Sequence, residues 1–248
     1  MMANVEEDSI SDMLRDKVVL IGGATGALGS VVAHQFAETG AHLALTGTSQ
    51  EQLDELAGEL DLADERTLVS TVDATDPESV DRLVSTVVER FGSLHVLLNT
   101  VGGWGGGKTV AETPVGQWDK MLDLNLRTAF LMSRAVLPHM LESGWGRIIH
   151  TSSKTGVEPR AKQVGYAVAK MAVITLTEVI AEEVKGSGVT ANVILPAIID
   201  TPANRRMMSN ADADKWVPPE HIAAAMRFLC SESAASINGD RIPVYGAV

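Results

Sequence analysis

The feature that most constrains the fold of this chain is a repeated alternation of short apolar runs with longer segments of helical periodicity. The run Val-Val-Leu-Ile at 18–21 is apolar at every position, which is typical of parallel strands buried on both faces. The alternation itself predicts parallel strands joined by helices. The predicted strands are 18–21, 43–46, 67–72, 96–98, 147–150 and 189–195.

Each predicted strand is followed by a helix candidate whose ends are marked by proline or glycine. The predicted helices are 27–39, 50–60, 77–91, 117–142, 165–185 and 219–231. This pattern predicts an α/β fold with one doubly wound parallel sheet of about seven strands and helices on both faces. A length of 248 residues suits one domain, and 45% hydrophobic with only 4% aromatic residues predicts an aliphatic core.

Charge and composition exclude several classes of protein. The formal charge of −12 argues against a nucleic-acid partner, because such binding depends on neutralising many phosphates. The single cysteine, Cys230, excludes an internal disulfide, and the histidines show no metal-ligand spacing, so no metal site is expected. The acidic N-terminus and the lack of a long apolar run predict neither signal peptide nor membrane span, and hence a cytoplasmic protein.

A glycine-rich turn joins the first predicted strand to an alanine-rich helix. The run at 22–29 reads Gly-Gly-Ala-Thr-Gly-Ala-Leu-Gly. Glycines let the backbone turn sharply and approach a pyrophosphate, and the helix N-terminus offers unpaired N–H groups to that negative charge. Strand, turn and helix in this order are the context that a dinucleotide fingerprint needs, so we expect a dinucleotide cofactor.

A phenol and an ammonium lie four residues apart in the run Tyr-Ala-Val-Ala-Lys at 166–170, on one face of a predicted helix. A nearby cation stabilises phenolate and lowers the phenol pKa from about 10, so Tyr166 can exchange a proton with a substrate oxygen. Alone, the pair is also compatible with an ordinary surface helix. The run Thr-Ser-Ser-Lys-Thr-Gly at 151–156, after the fifth strand, adds candidate hydroxyl groups.

Together these motifs resemble the short-chain dehydrogenase/reductase family, which places its serine 13 residues before its tyrosine, as Ser153 stands before Tyr166. The resemblance covers about residues 16–248. It implies a single Rossmann-fold domain there and an NAD(P)-dependent oxidoreductase that transfers a hydride between nicotinamide and a carbonyl or alcohol. Residues 1–15 precede the first strand and are predicted to form a polar arm, although Ile10, Met13 and Leu14 could let part of it dock as a short helix.

The resemblance implies a catalytic set of Ser153, Tyr166, Lys170 and Asn125. Tyr166 is the general acid/base, Ser153 polarises the substrate carbonyl, and Ser152 is the alternative to Ser153. Lys170 also binds the nicotinamide ribose. Asn125 supports a proton relay through water and lysine, or is an ordinary polar residue inside a helix.

The resemblance also implies a cofactor-binding set. Asp73 stands where the family holds the adenine edge, although it could be a turn or N-cap residue before Pro77. The residues that depart from the family motifs are Gly22, Ala27, Thr100, Val101 and Ala197. The predicted cofactor-binding residues are Gly23, Thr25, Gly26, Ala27, Leu28, Gly29, Gly47, Thr48, Ser49, Asp73, Ala74, Asn99, Thr100, Val101, Gly102, Tyr166, Lys170, Pro196, Ile199 and Thr201.

The choice between NADP(H) and NAD(H) depends on the end of the second strand. An acidic residue there would bind the adenosine ribose and repel a 2′-phosphate. This chain has Gly47, Thr48 and Ser49 instead, which leave room for a phosphate and can donate to it. No arginine follows to make a charge-assisted contact. We expect NADP(H) to be favoured over NAD(H).

The substrate is expected beneath the segment after the sixth strand, in a loop region over about 197–217. Arg205 and Arg206 could receive an acidic substrate or an acyl carrier protein, or lie on a solvated face. Met207 and Met208 predict an apolar pocket wall. The predicted substrate is a ketone or 3-oxoacyl thioester.

Two alternatives to this function stay open. The runs 101–106 and 195–205, with Trp216 beyond, resemble dihydropteridine reductases, although that branch lacks the serine found here as Ser153. A catalytically silent protein that senses NADP(H) is the other alternative.

The apolar helix after Tyr166 predicts burial against a second copy, and the family commonly forms tetramers or dimers.

Overall fold

The computed structural model describes residues 13–247, which contain a parallel sheet of seven strands. The strands are β1 Val18–Gly22, β2 His42–Gly47, β3 Thr67–Thr71, β4 Val96–Asn99, β5 Gly146–Thr151, β6 Val189–Pro196 and β7 Arg241–Val244. They are ordered β3-β2-β1-β4-β5-β6-β7, and every adjacent pair is parallel. The predicted α/β fold is confirmed, and the six strands located from sequence match within one residue at each end.

About seven strands were expected from the sequence but only six were located, and β7 is the strand that was missed. It lies at the sheet edge beside β6, and its side chains alternate between exposed and half-buried. Pro243 has no N–H for a ladder hydrogen bond, and an edge strand tolerates that loss. A short strand with one exposed face and a proline has no continuous apolar run, so the criterion that found the central strands missed it.

Helices cover both faces of the sheet. They are α1 Ala27–Ala37, α2 Gln50–Leu60, α3 Pro77–Phe91, α4 Val115–Leu122, α5 Thr128–Ser143, α6 Val164–Glu183, α7 Pro202–Met207 and α8 Pro219–Cys230. The predicted helix at 117–142 is corrected, because a π-helical segment, Asp123–Arg127, separates α4 from α5. The predicted helix at 27–39 ends earlier, at Ala37, and α7 lies inside the region expected to be a loop.

Strand β1 shows why the central strands are apolar at every position. Val19 and Ile21 pack into one core cluster with residues of α1 and α8. Val18 and Leu20 pack into the other cluster, with residues of α3, α5 and α6. Successive side chains of a strand point to opposite faces, so a sheet covered on both sides buries them all.

Helix α6 is long and apolar enough to cross a membrane by length and composition. Half of the apolar stretch of this helix is buried inside the domain. The helix packs against β6 and carries the buried Lys170, which is 4% exposed. These features are those of a core helix in a globular domain.

The predicted N-terminal arm at 1–15 lies outside the described residues except for its last three. Of these, Leu14 is buried in the same cluster as α1, and its N–H donates to the Thr39 carbonyl oxygen at 3.0 Å. The packed domain therefore begins slightly before the predicted boundary at Asp16.

Two glycines in the loop between α6 and β6 test the packing at the amino ends of the strands. Gly186 and Gly188 have φ of +79° and +84°. A Cβ at Gly188 would overlap the Gly144 carbonyl oxygen, whereas one at Gly186 would meet nothing within 4 Å.

We expect Gly186→Ala to lower the free energy of unfolding by about 1–2 kcal/mol, the cost of left-handed strain alone. Gly188→Ala should lose about 1–3 kcal/mol more, because the overlapping backbone must also shift. Urea unfolding of the two variants measures the difference. Equal losses would contradict the close approach at Gly188.

Candidate active site

The carboxyl ends of the strands carry two neighbouring cavities. The strand order reverses between β1 and β4, which is where ligands bind in open parallel sheets. One cavity, of about 660 Å³, lies there between the loops after β1, β2, β3 and β4. The other, of about 310 Å³, lies beside the loops after β5 and β6. We call them the cofactor cleft and the substrate cavity.

The turn after β1 packs directly on the loop after β4. Gly23 has φ of +75°, and a Cβ there would lie 3.2 Å from both the Thr100 hydroxyl and the Val101 nitrogen. The Thr100 hydroxyl donates to the carbonyl oxygen of Gly22 at 2.7 Å. Thr100, a departure from the family motif, therefore ties the two cofactor loops together.

Half of the predicted cofactor-binding residues line the cofactor cleft: Gly23, Thr25, Gly26, Gly47, Thr48, Asp73, Ala74, Thr100, Val101 and Gly102. Sequence reasoning missed others: Thr71, Val72, Thr75, Ser79, Leu124 and Thr128. The first four lie near Asp73 in the sequence, so extending the predicted site along the loop after β3 would have included them. Leu124 and Thr128 come from the π-helical segment and the start of α5, for which no local signal exists.

The other predicted cofactor residues do not line the cleft. The hydroxyls of Ser49 and Thr201 accept from the backbone N–H groups of Gln52 and Asn204, which caps α2 and α7. The Asn99 amide oxygen accepts from the Val101 N–H at 3.2 Å. Ile199 and Tyr166 line the substrate cavity instead. The remainder are Ala27, Leu28 and Gly29 in the first turn of α1, the buried Pro196 at the end of β6, and Lys170.

Asp73 is a turn residue at the rim of the cofactor cleft. One of its carboxylate oxygens accepts from the Thr75 N–H at 2.9 Å and from the Thr75 hydroxyl at 2.6 Å. These hydrogen bonds, the hydroxyl one foremost, lower the pKa of Asp73. The N-cap of α3 is Asp76, so the interpretation of Asp73 as the helix cap is wrong.

The two candidate serines after β5 face different partners. The Ser153 hydroxyl accepts from the Thr155 N–H at 3.1 Å, hydrogen bonds with the Tyr166 phenol, and lines the substrate cavity. The Ser152 hydroxyl is buried and donates to the Lys170 carbonyl oxygen at 2.7 Å. The geometry therefore favours Ser153 over Ser152 as the partner of Tyr166.

Burial governs the proton affinity of the tyrosine and lysine pair. The Lys170 ammonium donates to the Thr151 carbonyl oxygen at 2.9 Å and lies 5.9 Å from the centre of the Tyr166 ring. Burial lowers the pKa of Lys170 to about 8. Burial also raises the pKa of Tyr166, against a smaller lowering by the Ser153 hydrogen bond.

The main influence on the Tyr166 pKa is therefore burial of the phenol, which raises it, and not the lowering by Lys170 that was expected. The phenol stays protonated at neutral pH, which is the form needed to give a proton to a carbonyl oxygen.

Asn125 lies in the π-helical segment, and such segments occur frequently at functional sites. Its amide oxygen accepts from the Gly103 N–H at 3.1 Å, and its amide nitrogen donates to the Gly103 carbonyl oxygen at 3.0 Å. A Cβ at Gly102 would lie 2.9 Å from the Asn125 amide oxygen and 3.0 Å from the Lys170 ammonium. Asn125 and Lys170 thus meet across Gly102, an arrangement that favours the predicted relay role over that of an ordinary polar residue inside a helix, although the Asn125 amide also donates to the Met121 carbonyl oxygen at 3.0 Å.

The substrate cavity contains part of the predicted loop region. Met207 and Met208 line it, as expected for an apolar wall. Arg205 instead forms a two-point salt bridge with Asp200, at 2.6 and 2.7 Å, and Arg206 lies outside the cavity lining. Ala197, Ile198 and Asn204 of the predicted loop region also line the cavity. Lining residues that were not predicted are Trp104, Lys154, Thr155, Glu158, Arg160 and Gln163.

Comparisons with known proteins extend over nearly the whole chain. The family model described as short chain dehydrogenase matches residues 17–212. A 3-oxoacyl-(acyl-carrier-protein) reductase of Vibrio cholerae is 30% identical, over 95% of this chain and 98% of that protein. A meso-2,3-butanediol dehydrogenase of Serratia marcescens is 32% identical, over 93% of this chain and 94% of that protein.

A solved structure, a variant of actinorhodin polyketide ketoreductase with NADPH, is also similar. It matches with a TM-score of 0.86 and 27% identity, over 93% of this chain and 96% of that chain. The two chains therefore share a fold over nearly their whole lengths.

The two serines allow a matched test of the site. Ser153→Ala removes a hydroxyl beside Tyr166, and loss of one such donor costs about 10²- to 10³-fold in kcat. Ser152→Ala removes a buried structural hydrogen bond, worth about 1 kcal/mol of stability, and should lower kcat much less. Steady-state kinetics and thermal unfolding of both variants separate the effects. A larger kcat loss in Ser152→Ala would reverse the assignment.

Proposed function

Because the chain belongs to the short-chain dehydrogenase family, it is an NAD(P)-dependent oxidoreductase acting on CH–OH or C=O groups, and we propose that it reduces a ketone or 3-oxoacyl group. The observation that carries this proposal is the hydrogen-bonded pair of Ser153 and Tyr166 in the wall of the substrate cavity. The cofactor cleft lies next to this pair. Gly102 lines the cleft and faces Lys170, and the Lys170 ammonium lies 5.9 Å from the centre of the Tyr166 ring.

The residues of the cofactor cleft fit a dinucleotide. Gly23 and Gly26 line the cleft, and the N-terminus of α1 that follows them would offer backbone N–H groups to a pyrophosphate. A Cβ at Gly23 would lie 3.2 Å from the Val101 nitrogen, and one at Gly26 would lie 3.2 Å from the Gly23 carbonyl oxygen, so the tight turn favours glycine at both positions. Asp73 would hold the adenine edge, and Lys170 the nicotinamide ribose. When bound, the nicotinamide supplies the hydride to the substrate carbon.

The proton half of the reaction belongs to side chains of this chain. Tyr166 gives its phenolic proton to the substrate oxygen, and Ser153 donates a hydrogen bond to the same oxygen as negative charge develops on it. The Lys170 ammonium favours charge on the spent phenolate. Asn125 holds Gly103 beside Lys170, where a water chain could return the proton.

A ketone or 3-oxoacyl substrate is supported by the relatives, whose names include a 3-oxoacyl reductase and a polyketide ketoreductase. Dihydropteridine reduction is the second candidate. Trp104, which is 52% exposed and lines the substrate cavity, offers a flat indole face to a planar ring. The presence of Ser153 favours the ketone over the pteridine.

We also infer that the protein is a homo-oligomer, either a tetramer or a dimer, and works in the cytoplasm. Support for the oligomer comes from large exposed side chains on two helices, Val168, Met171 and Val179 of α6 with Phe130 and Leu141 of α5. Exposed apolar patches of this kind mark protein interfaces. The mass in solution, measured by light scattering, tests the proposed oligomer.

Support for the cytoplasm comes from Cys230, whose single buried thiol suits a reducing compartment.

The function is tested by NADPH oxidation with a panel of simple ketones, a 3-oxoacyl thioester and a quinonoid dihydropteridine. We expect turnover with ketones or the thioester. Tyr166→Phe should lower kcat by about 10²- to 10⁴-fold while NADPH still binds, because only proton transfer is lost. Tight NADPH binding without turnover of any carbonyl would make the protein a silent sensor. Full activity of Tyr166→Phe would refute the proton-transfer role.

The preference for NADP(H) is tested at the rim of the cofactor cleft. Thr48 is exposed there, while a side chain at Gly47 would crowd the Thr25 hydroxyl at 3.0 Å. Thr48→Asp places a carboxylate where it repels a 2′-phosphate. We expect the ratio of kcat/KM for NADPH over NADH to fall about 10-fold, equivalent to about 1.4 kcal/mol of repulsion.

Thr48→Asn is the control, because it has a similar size and no charge. It should leave the ratio nearly unchanged. If the wild-type protein prefers NADH, or if Asp and Asn change the ratio equally, the phosphate-binding interpretation of Gly47, Thr48 and Ser49 fails.

A further inference from the structure

One wall of the substrate cavity is charged although the rest is neutral. The lining residues carry three formal charges, on Lys154, Glu158 and Arg160, and all three lie in the segment between Ser153 and Tyr166. These charges therefore lie close in the chain to the two side chains of the hydrogen-bonded pair. Met207, Met208 and Ile198 also line the cavity and are apolar.

Two of the three charges are paired with each other. The Lys154 ammonium lies 3.6 Å from a Glu158 carboxylate oxygen and 4.9 Å from the centre of the Tyr245 ring. The Lys154 side chain is 21% exposed and the Glu158 side chain is 63% exposed, so only the lysine end of the pair is partly buried. Lys154 and Glu158 together add no net charge to the cavity.

Arg160 is the remaining charge. Within residues 13–247 it makes no hydrogen bond and no ion pair, although it lines the cavity. Other arginines of this acidic chain contact carboxylates, as Arg134 contacts Asp81 at 2.8 Å and Arg241 contacts Glu178 at 2.6 Å. The cavity thus has one uncompensated positive charge, in a protein whose overall charge of −12 repels anions elsewhere.

From this arrangement we propose that the substrate is an oxo acid whose carboxylate binds the Arg160 guanidinium while its ketone faces Ser153 and Tyr166. A guanidinium matches a carboxylate with two parallel hydrogen bonds. A single net positive charge balances a monoanion, whereas a phosphate monoester carries about −1.5 to −2 at neutral pH. The cavity volume of about 310 Å³ suits a small molecule of this kind.

This inference rests on the proposed ketone reduction, so its test compares acids with neutral ketones of the same skeleton. The probes are 3-oxobutanoate, 4-oxopentanoate and 5-oxohexanoate, each beside its methyl ester. For at least one pair, wild-type protein should show a higher kcat/KM for the acid, mainly through a lower KM. Arg160→Leu should lower the acid-to-ester ratio of kcat/KM by about 10- to 100-fold, as expected for a hydrogen-bonded charge.

Arg206→Leu is the matched control, because Arg206 is another exposed arginine and does not line the cavity. It should leave the acid-to-ester ratio unchanged. Turnover of the esters without any preference for the acids overturns this inference and leaves the ketone reduction intact. An equal fall of the acid-to-ester ratio in Arg160→Leu and Arg206→Leu also overturns this inference alone. The same holds if Arg160→Leu lowers kcat/KM equally for acid and ester. Failure of both acids and esters, while the simple ketones or the 3-oxoacyl thioester still oxidise NADPH, overturns this inference alone. Failure of every carbonyl, these included, overturns the proposed function and this inference with it.

Discussion

The position of one buried ammonium, on Lys170, organises the whole candidate site. Its side chain is 4% exposed and donates to the Thr151 carbonyl oxygen at the end of β5. Its own backbone carbonyl accepts from Ser152, and a Cβ at Gly156 would lie 3.0 Å from that backbone. Because burying a cation is costly without polar partners, the loops after β4 and β5 must stay close to it.

That requirement explains why the cofactor and proton sites are adjacent. Gly102, in the loop after β4, has room only for hydrogen between the Lys170 ammonium and the Asn125 amide oxygen. The π-helical segment, with its wider turn, brings Asn125 to this point, where it also binds both backbone groups of Gly103. A regular helix from α4 to α5 would orient the Asn125 amide differently, and the contact with Gly103 would be lost.

What the sequence could predict follows from how local each signal is. The buried strands and the turn at Gly23 are local patterns, and the structure matches them closely. The choice between Ser152 and Ser153 depended on a spacing, and alternation along an extended chain places the two hydroxyls on opposite sides. The direction of the Tyr166 pKa shift could not be derived, since it is set mainly by burial, which sequence does not give. The charge of Arg160 was missed for the same reason, because nothing local marks it as a cavity residue.

The glycine-rich run at 102–107 has a different meaning in the structure from the one its composition suggests. Many adjacent glycines usually indicate flexibility. Here a Cβ at Gly103 would lie 2.8 Å from Leu124, one at Gly105 2.8 Å from Met121, and one at Gly106 2.7 Å from the Lys162 carbonyl oxygen. These three glycines therefore allow close packing against α4, the π-helical segment and the loop before α6, and at Gly106 the neighbour is backbone and not the end of a flexible side chain. This packing restricts the backbone on both sides of Trp104, which lines the substrate cavity. We therefore expect differences among substrates to be resolved mainly by the rest of the lining, where Met207, Met208 and the charges that follow Ser153 lie.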